Sequence, residues 1–80
     1  SNNEYGVGRP DVVVKDDDNQ RALVIEVKYA KTESEIPGKF AEARKQFADE
    51  RYLEGIPDDY TTVTGYCAVF CAKKCFMKIV

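Results

Sequence analysis

Ala22-Leu23-Val24-Ile25-Glu26-Val27-Lys28 is a run of β-branched and aliphatic residues into which the chain sets a carboxylate and an ammonium. Such a run belongs in a buried strand, where a charge costs several kcal/mol unless it is paired or holds a metal. Working outward, residues 10–15 read as an earlier strand, and Asp16-Asp17-Asp18-Asn19-Gln20 as a polar turn. Residues 21–30 then form the second strand of an antiparallel hairpin. Upstream, residues 4–8 read as a strand end or tight loop. Downstream, Pro37 opens a helix, Gly55 closes it and Pro57 stops it. Phe40, Ala43, Phe47, Ala48 and Tyr52 recur at steps of three and four, which predicts one apolar face. Residues 61–72 form a third strand, Lys73-Lys74 a turn, and residues 75–80 a last strand. The order β-β-α-β-β predicts an α+β, sandwich-like fold with the helix on one face of the sheet. A parallel crossover fits where the helix bridges strands.

Eighty residues, 44% hydrophobic and 32% charged, describe one domain over residues 4–80, with a single small core. Ser1-Asn2-Asn3 reads as an expression scar and a disordered start. No apolar stretch reaches transmembrane length and no signal peptide is evident, so the expected compartment is the cytoplasm, with no membrane partner. The net charge of -2 is not the footprint of a stand-alone, high-affinity nucleic-acid binder; such binding needs a divalent cation at the site or help from other domains. Cys67, Cys71 and Cys75 stand four apart in a chain without histidine, which misses the spacings of zinc and iron–sulfur sites. They read as reduced, small apolar residues.

Strand alternation points Ala22, Val24, Glu26 and Lys28 one way and Leu23, Ile25 and Val27 the other. If the second set faces the helix, Glu26 and Lys28 occupy the opposite surface. A hairpin turning around Asp18 brings Asp11 opposite positions 25 to 27, so Asp11 meets Glu26. The two carboxylates, with the Val27 backbone carbonyl as a third ligand, offer hard oxygens for Mg²⁺ or Mn²⁺. Lys28 beside them is suited to orient or deprotonate a water, or to stabilise charge on a phosphate. A half-exposed surface cluster of the same three residues is the competing reading of this spacing.

Gly8-Arg9-Pro10-Asp11, then Ile25-Glu26-Val27-Lys28, then Ala43-x-x-Gln46 with Tyr52 beyond it, resemble the PD-(D/E)XK nuclease superfamily. More narrowly, they resemble the nuclease-like domain at the C-terminus of many bacterial AAA-ATPase-like proteins. Its pattern E-x-G-x-G-R-x-D, a turn, I-E-x-K and a helix with glutamine and tyrosine is met here by Glu4, Gly6, Gly8, Arg9 and Asp11 in register. The resemblance implies a restriction-endonuclease-like fold with Asp11 and Glu26 as metal ligands and Lys28 as catalytic lysine. Gln46 then lies beside the site, contacting DNA backbone or the water network, although a solvated helix-face glutamine is an equal reading. Glu4 is a candidate further ligand, Arg9 a candidate phosphate binder, and Tyr52 is read as helix-face packing. The superfamily core is α-β-β-β-α-β, so the first helix and most of the first strand are missing here, which invites a homodimer or strand exchange. The implied activity is Mg²⁺-dependent hydrolysis of DNA phosphodiesters by a domain attached to an ATPase. The alternative is a catalytically inactive interaction or nucleic-acid-binding module on the same fold, or a domain whose sheet simply pairs with its parent protein.

Overall fold

The turn at residues 16–20 is built by side-chain mimicry of backbone: the Asp16 carboxylate accepts from the Asn19 amide N–H at 3.3 Å and from Asn19 Nδ2 at 2.8 Å. Gln20 follows with φ 55 and turns the chain back on itself. In this computed structural model, which describes residues 9–80, the turn joins β1 (Val12–Asp16) to β2 (Arg21–Ala30). The readings for residues 1–3 and 4–8, and Glu4, Gly6 and Gly8 with them, lie outside the described residues.

After a 3-10 turn at Glu33–Glu35, helix α1 (Ile36–Glu50) opens with Pro37 in its first turn, where the missing N–H has no intrahelical partner to lose. β3 (Thr62–Cys71) and β4 (Lys74–Ile79) complete a four-stranded sheet in the order β1-β2-β3-β4. β1–β2 and β3–β4 are antiparallel, while β2 and β3 run parallel across the α1 crossover. This is the α+β architecture expected, with one helix on one face. The hairpin turn is tied to the start of β3, because the Gln20 carbonyl accepts from the Thr61 N–H at 2.9 Å and Tyr60 OH donates to Asp17.

The helix ends earlier than the sequence predicts. Arg51 takes the left-handed conformation, φ 51, and its N–H caps the Phe47 carbonyl; a separate 3-10 turn, Tyr52–Gly55, carries the chain on. Gly55 is the closing residue and Pro57 the stop that the sequence predicts, but the reversal comes four residues before Gly55, at a non-glycine residue. Ala48, expected on the apolar face, is exposed.

The core lies between α1 and the sheet, where Phe40, Ala43 and Phe47 meet Val24, Ala30, Cys67, Val69 and Cys71, with Tyr52 closing one end. Small residues on β2 and β3 let the helix approach. Gly65 is one point of close approach: a Cβ there would stand 2.8 Å from the Phe47 ring, so position 65 takes no side chain without displacing it. Cys67 and Cys71 are buried free thiols and Cys75 is exposed; burial pushes the Cys67 thiol up, which leaves it an inert apolar filler as expected. The other face of the sheet carries Val12, Val14, Leu23, Tyr29, Phe70, Met77 and Ile79, each exposed.

Candidate active site

The pleat of β2 resolves the question of its charged residues against the expectation. Val24 and Ala30 are buried under α1 and Ala22 is buried on the same face, while Leu23 and Tyr29 are exposed, so Glu26 and Lys28 point into the helix–sheet interface, not onto the opposite surface. The reason is steric: helix and sheet come together only where the strand offers small side chains, and that set alternates with Leu23, Ile25 and Val27. Glu26 is consequently 3% exposed, which also rules out the half-exposed surface cluster.

A connected set of polar groups receives it. Lys28 Nζ lies 3.5 Å from Glu26 Oε2 and donates to Gln46 Oε1 at 2.5 Å. Gln46 in turn donates through Nε2 to the Tyr52 hydroxyl at 2.9 Å. Gln46 is therefore neither a solvated helix residue nor a free water ligand; it spans the gap between the sheet lysine and the core tyrosine. Glu26 Oε1 is buried and has no hydrogen-bond partner. Burial, and then the charge of Asp11, push the Glu26 carboxyl above the ordinary carboxylate range, with Lys28 pulling the other way.

The hairpin register fulfils the spacing argument. Val12 pairs with Ile25, so Asp11, one residue before the strand, comes level with Glu26. Asp11 Oδ2 accepts from the Val27 N–H at 2.8 Å, which fixes its carboxylate to the edge of β2. The N–H and C=O of one strand residue leave on the same side, so the Val27 carbonyl faces that edge too.

Tyr52 is more than helix-face packing. The left-handed Arg51 turns it back under the helix, where it is 1% exposed and its ring meets Phe47 edge-on at 5.1 Å. Burial, followed by the charge of Glu26, pushes its phenol up to about 12, so it stays protonated and serves as a fixed hydrogen-bonding group. Glu50 was missed in the sequence. Its charge also acts on Tyr52, its Oε1 is buried without a partner, and its spacing of four from Gln46 was the available signal.

A family profile described as the PD-(D/E)XK nuclease superfamily matches residues 1–79. The chain belongs to the PD-(D/E)XK nuclease superfamily. No curated protein and no solved structure matches the chain at a significant level. For a member of this superfamily, the order Asp11, then Glu26-Val27-Lys28, is the pattern its name spells, and the fold brings those residues to one end of the β1–β2 pair.

Among the described residues no three carboxylate, thiol or imidazole side chains stand close enough together to hold a metal ion. The donor set still fits a divalent cation of the hard, oxygen-seeking kind. Asp11 and Glu26 are adjacent carboxylates, one of them with an orphaned buried oxygen, and a backbone carbonyl faces the same edge. Mg²⁺ asks for few protein ligands and keeps several waters. Glu4 lies outside the described residues. Arg9 is exposed near the edge of β1. Among the described residues no helix is long and apolar enough to cross a membrane.

Proposed function

We propose that this domain is a Mg²⁺- or Mn²⁺-dependent nuclease that hydrolyses phosphodiester bonds in DNA, working in the cytoplasm as part of a longer chain with an AAA-type ATPase. The observation that carries it is the buried Glu26 carboxylate with its orphaned oxygen, set between Asp11 and Lys28 in a nuclease-superfamily chain. A carboxylate burdened by burial and by a neighbouring negative charge is a poor structural element and a good cation ligand.

Asp11, Glu26 and the Val27 carbonyl would hold the cation. When bound, it neutralises the two carboxylates, acidifies water and screens the incoming phosphate. Lys28 has three N–H donors, of which one goes to Gln46 and one points toward Glu26. The third is available to a phosphate oxygen or to the attacking water. Gln46 and Tyr52 hold the ammonium in that orientation. Water adds to phosphorus, one P–O ester bond breaks, and the departing oxygen leaves as an alcohol once protonated.

The test is calorimetric titration with Mn²⁺ on the wild type, Asp11→Asn and Glu26→Gln, alongside a plasmid-cleavage assay. Binding that either substitution removes, together with cleavage that Lys28→Met removes, is expected. A folded wild type that takes up no Mn²⁺ and cleaves nothing turns the reading to the inactive interaction module. Tyr52→Phe, which removes only the hydroxyl that Gln46 donates to, is expected to lower the cleavage rate about ten-fold, the effect of a hydrogen bond worth roughly 1–1.5 kcal/mol. Its Mn²⁺ isotherm should match the wild type; an altered isotherm would place Tyr52 at the metal instead.

A further inference from the structure

Helix α1 covers one face of the sheet and leaves the other to solvent. The strand registers put Val14, Leu23, Tyr29, Phe70, Met77 and Ile79 together on that open face, all exposed. Among the described strand residues the only charges on it are Asp16 and Arg21, which lie at one end and pair with each other at 3.7 Å. The face therefore offers apolar surface and no unanswered charge for a partner of opposite sign. Four strands about 4.8 Å apart and eight residues at about 3.3 Å make roughly 500 Å² of it in projection. Two copies laid face to face bury about 1,000 Å², the size at which an interface becomes specific, with the apolar character of homodimer contacts.

The relief of this face matches itself. At the end where β2 finishes, Tyr29 is 72% exposed, the most of any large apolar residue described, and it stacks on Phe70 at 5.8 Å to form a ridge. At the end where β2 begins, a hollow of about 500 Å³ opens between Val14, Leu23, Thr64 and Tyr66, rimmed by Arg21 and Thr62. Ridge and hollow sit on the same two strands, since Tyr29 pairs with Phe70 and Leu23 with Thr64. Six residues, or about 20 Å, separate them along β2. A two-fold axis between two such sheets, lying across the strands and midway along them, passes over the half-buried Ile25 and Val27. It sets the ridge of each copy over the hollow of the other, both at once, as a closed isologous contact requires. The Tyr29 phenol then meets the hydroxyls of Thr62 and Thr64, so its polar tip is answered when its ring is buried.

We propose that the open sheet face is the interface of a homodimer, in which Tyr29 and Phe70 of each copy enter the hollow around Leu23 and Thr64 of the other. Glu26 and Lys28 belong to the helix side of the sheet, so association leaves both candidate sites uncovered. The inference stands apart from the nuclease reading and holds whether or not the domain cleaves.

The experiment is sedimentation equilibrium from low micromolar to near-millimolar concentration. Wild type, Tyr29→Lys and Leu23→Glu are compared, with Leu53→Glu as a control at an exposed apolar position off this face, each checked by thermal melt. Wild type and Leu53→Glu are expected at twice the 9.0 kDa chain mass. Either face variant alone sets a charge against apolar surface at both symmetric contacts, and should weaken the dimer at least about thirty-fold, as loss of a buried anchor does. An equimolar mixture of the two should dimerise again, because one contact then joins ammonium to carboxylate and the other is wild type. Should Leu23→Glu not fold, Thr64→Glu in the same hollow takes its place. A wild type that sediments as a monomer throughout overturns the proposal. So does a dimer that the folded face variants retain, which would put the contact elsewhere, as at edge strand β4. Face variants that dissociate and do not recover on mixing overturn the ridge-into-hollow arrangement.

Discussion

Glu26→Gln is expected to abolish cleavage, by at least about a hundred-fold, and at the same time to yield a protein more stable than wild type in metal-free buffer at neutral pH. The two effects have one cause. Burial and the charge of Asp11 raise the Glu26 pKa above its ordinary value near 4.5 in the folded protein, despite Lys28. Between the unfolded and folded values the native state binds more protons than the unfolded state. The stability contributed by Glu26 is therefore fully present below the ordinary carboxylate value and is lost as pH rises through the raised one. Glutamine copies the protonated form and escapes that loss. Melting curves in EDTA from pH 4 to pH 8 should show the variant gaining on the wild type as pH rises, each 1 kcal/mol appearing as roughly 4–8 °C for a domain of this size. Added Mn²⁺ should raise the wild-type midpoint and leave the variant unmoved. A variant that melts below the wild type in EDTA would mean that the Lys28 contact outweighs desolvation, and the metal argument would lose its footing.

Phe47→Ala is expected to have the largest effect on folding. The ring fills the space above Gly65 and meets Tyr52 edge-on, so truncation opens a cavity at the junction of helix, sheet and 3-10 turn. Buried Phe→Ala changes cost about 3–5 kcal/mol, against about 4–12 kcal/mol of total stability for eighty residues. A midpoint lower by at least roughly 12 °C should follow. Gly65→Ala alone should also destabilise, because its methyl would strike the ring at 2.8 Å. In the Phe47→Ala background the same methyl enters vacant space, so the double variant should be less destabilised than the sum of the single changes. Strict additivity in that cycle would show that the two positions do not share a space.

The strands, the hairpin and the position of Asp11 were legible because each rests on local rules. Alternation, a polar turn and a register counted from that turn place position 11 against 26 within a residue. Which face of β2 turns inward was not legible. Leu23, Ile25 and Val27 form the more apolar set, and a hydrophobicity argument buries them; the helix instead packs on Val24 and Ala30, and Glu26 is buried on the same face. The outcome is set by how closely α1 can approach, a property of two elements that neither segment carries alone. The end of the helix was hidden for a related reason. Arginine carries no preference for the left-handed region; the Arg51 N–H capping the Phe47 carbonyl, its pairing with Glu54 and the burial of Tyr52 beyond it all belong to that turn. The role of Gln46 depends on that turn, since its amide bridges Lys28 to a tyrosine the sequence had assigned to packing.

Tyr52 answers to three masters at once. Its ring belongs to the core cluster, its hydroxyl receives the glutamine that steadies Lys28, and its outer edge walls a hollow beside Arg9 and Lys15. Phenylalanine satisfies the first demand and the third, a small polar residue at most the second, and no other side chain has both the volume and the hydroxyl. Adaptation of this domain to heat, or to a new substrate, has many routes open at the exposed positions around the site and almost none through position 52. Selection for a sturdier core and, on the proposed nuclease function, selection for faster cleavage press there on the same atoms.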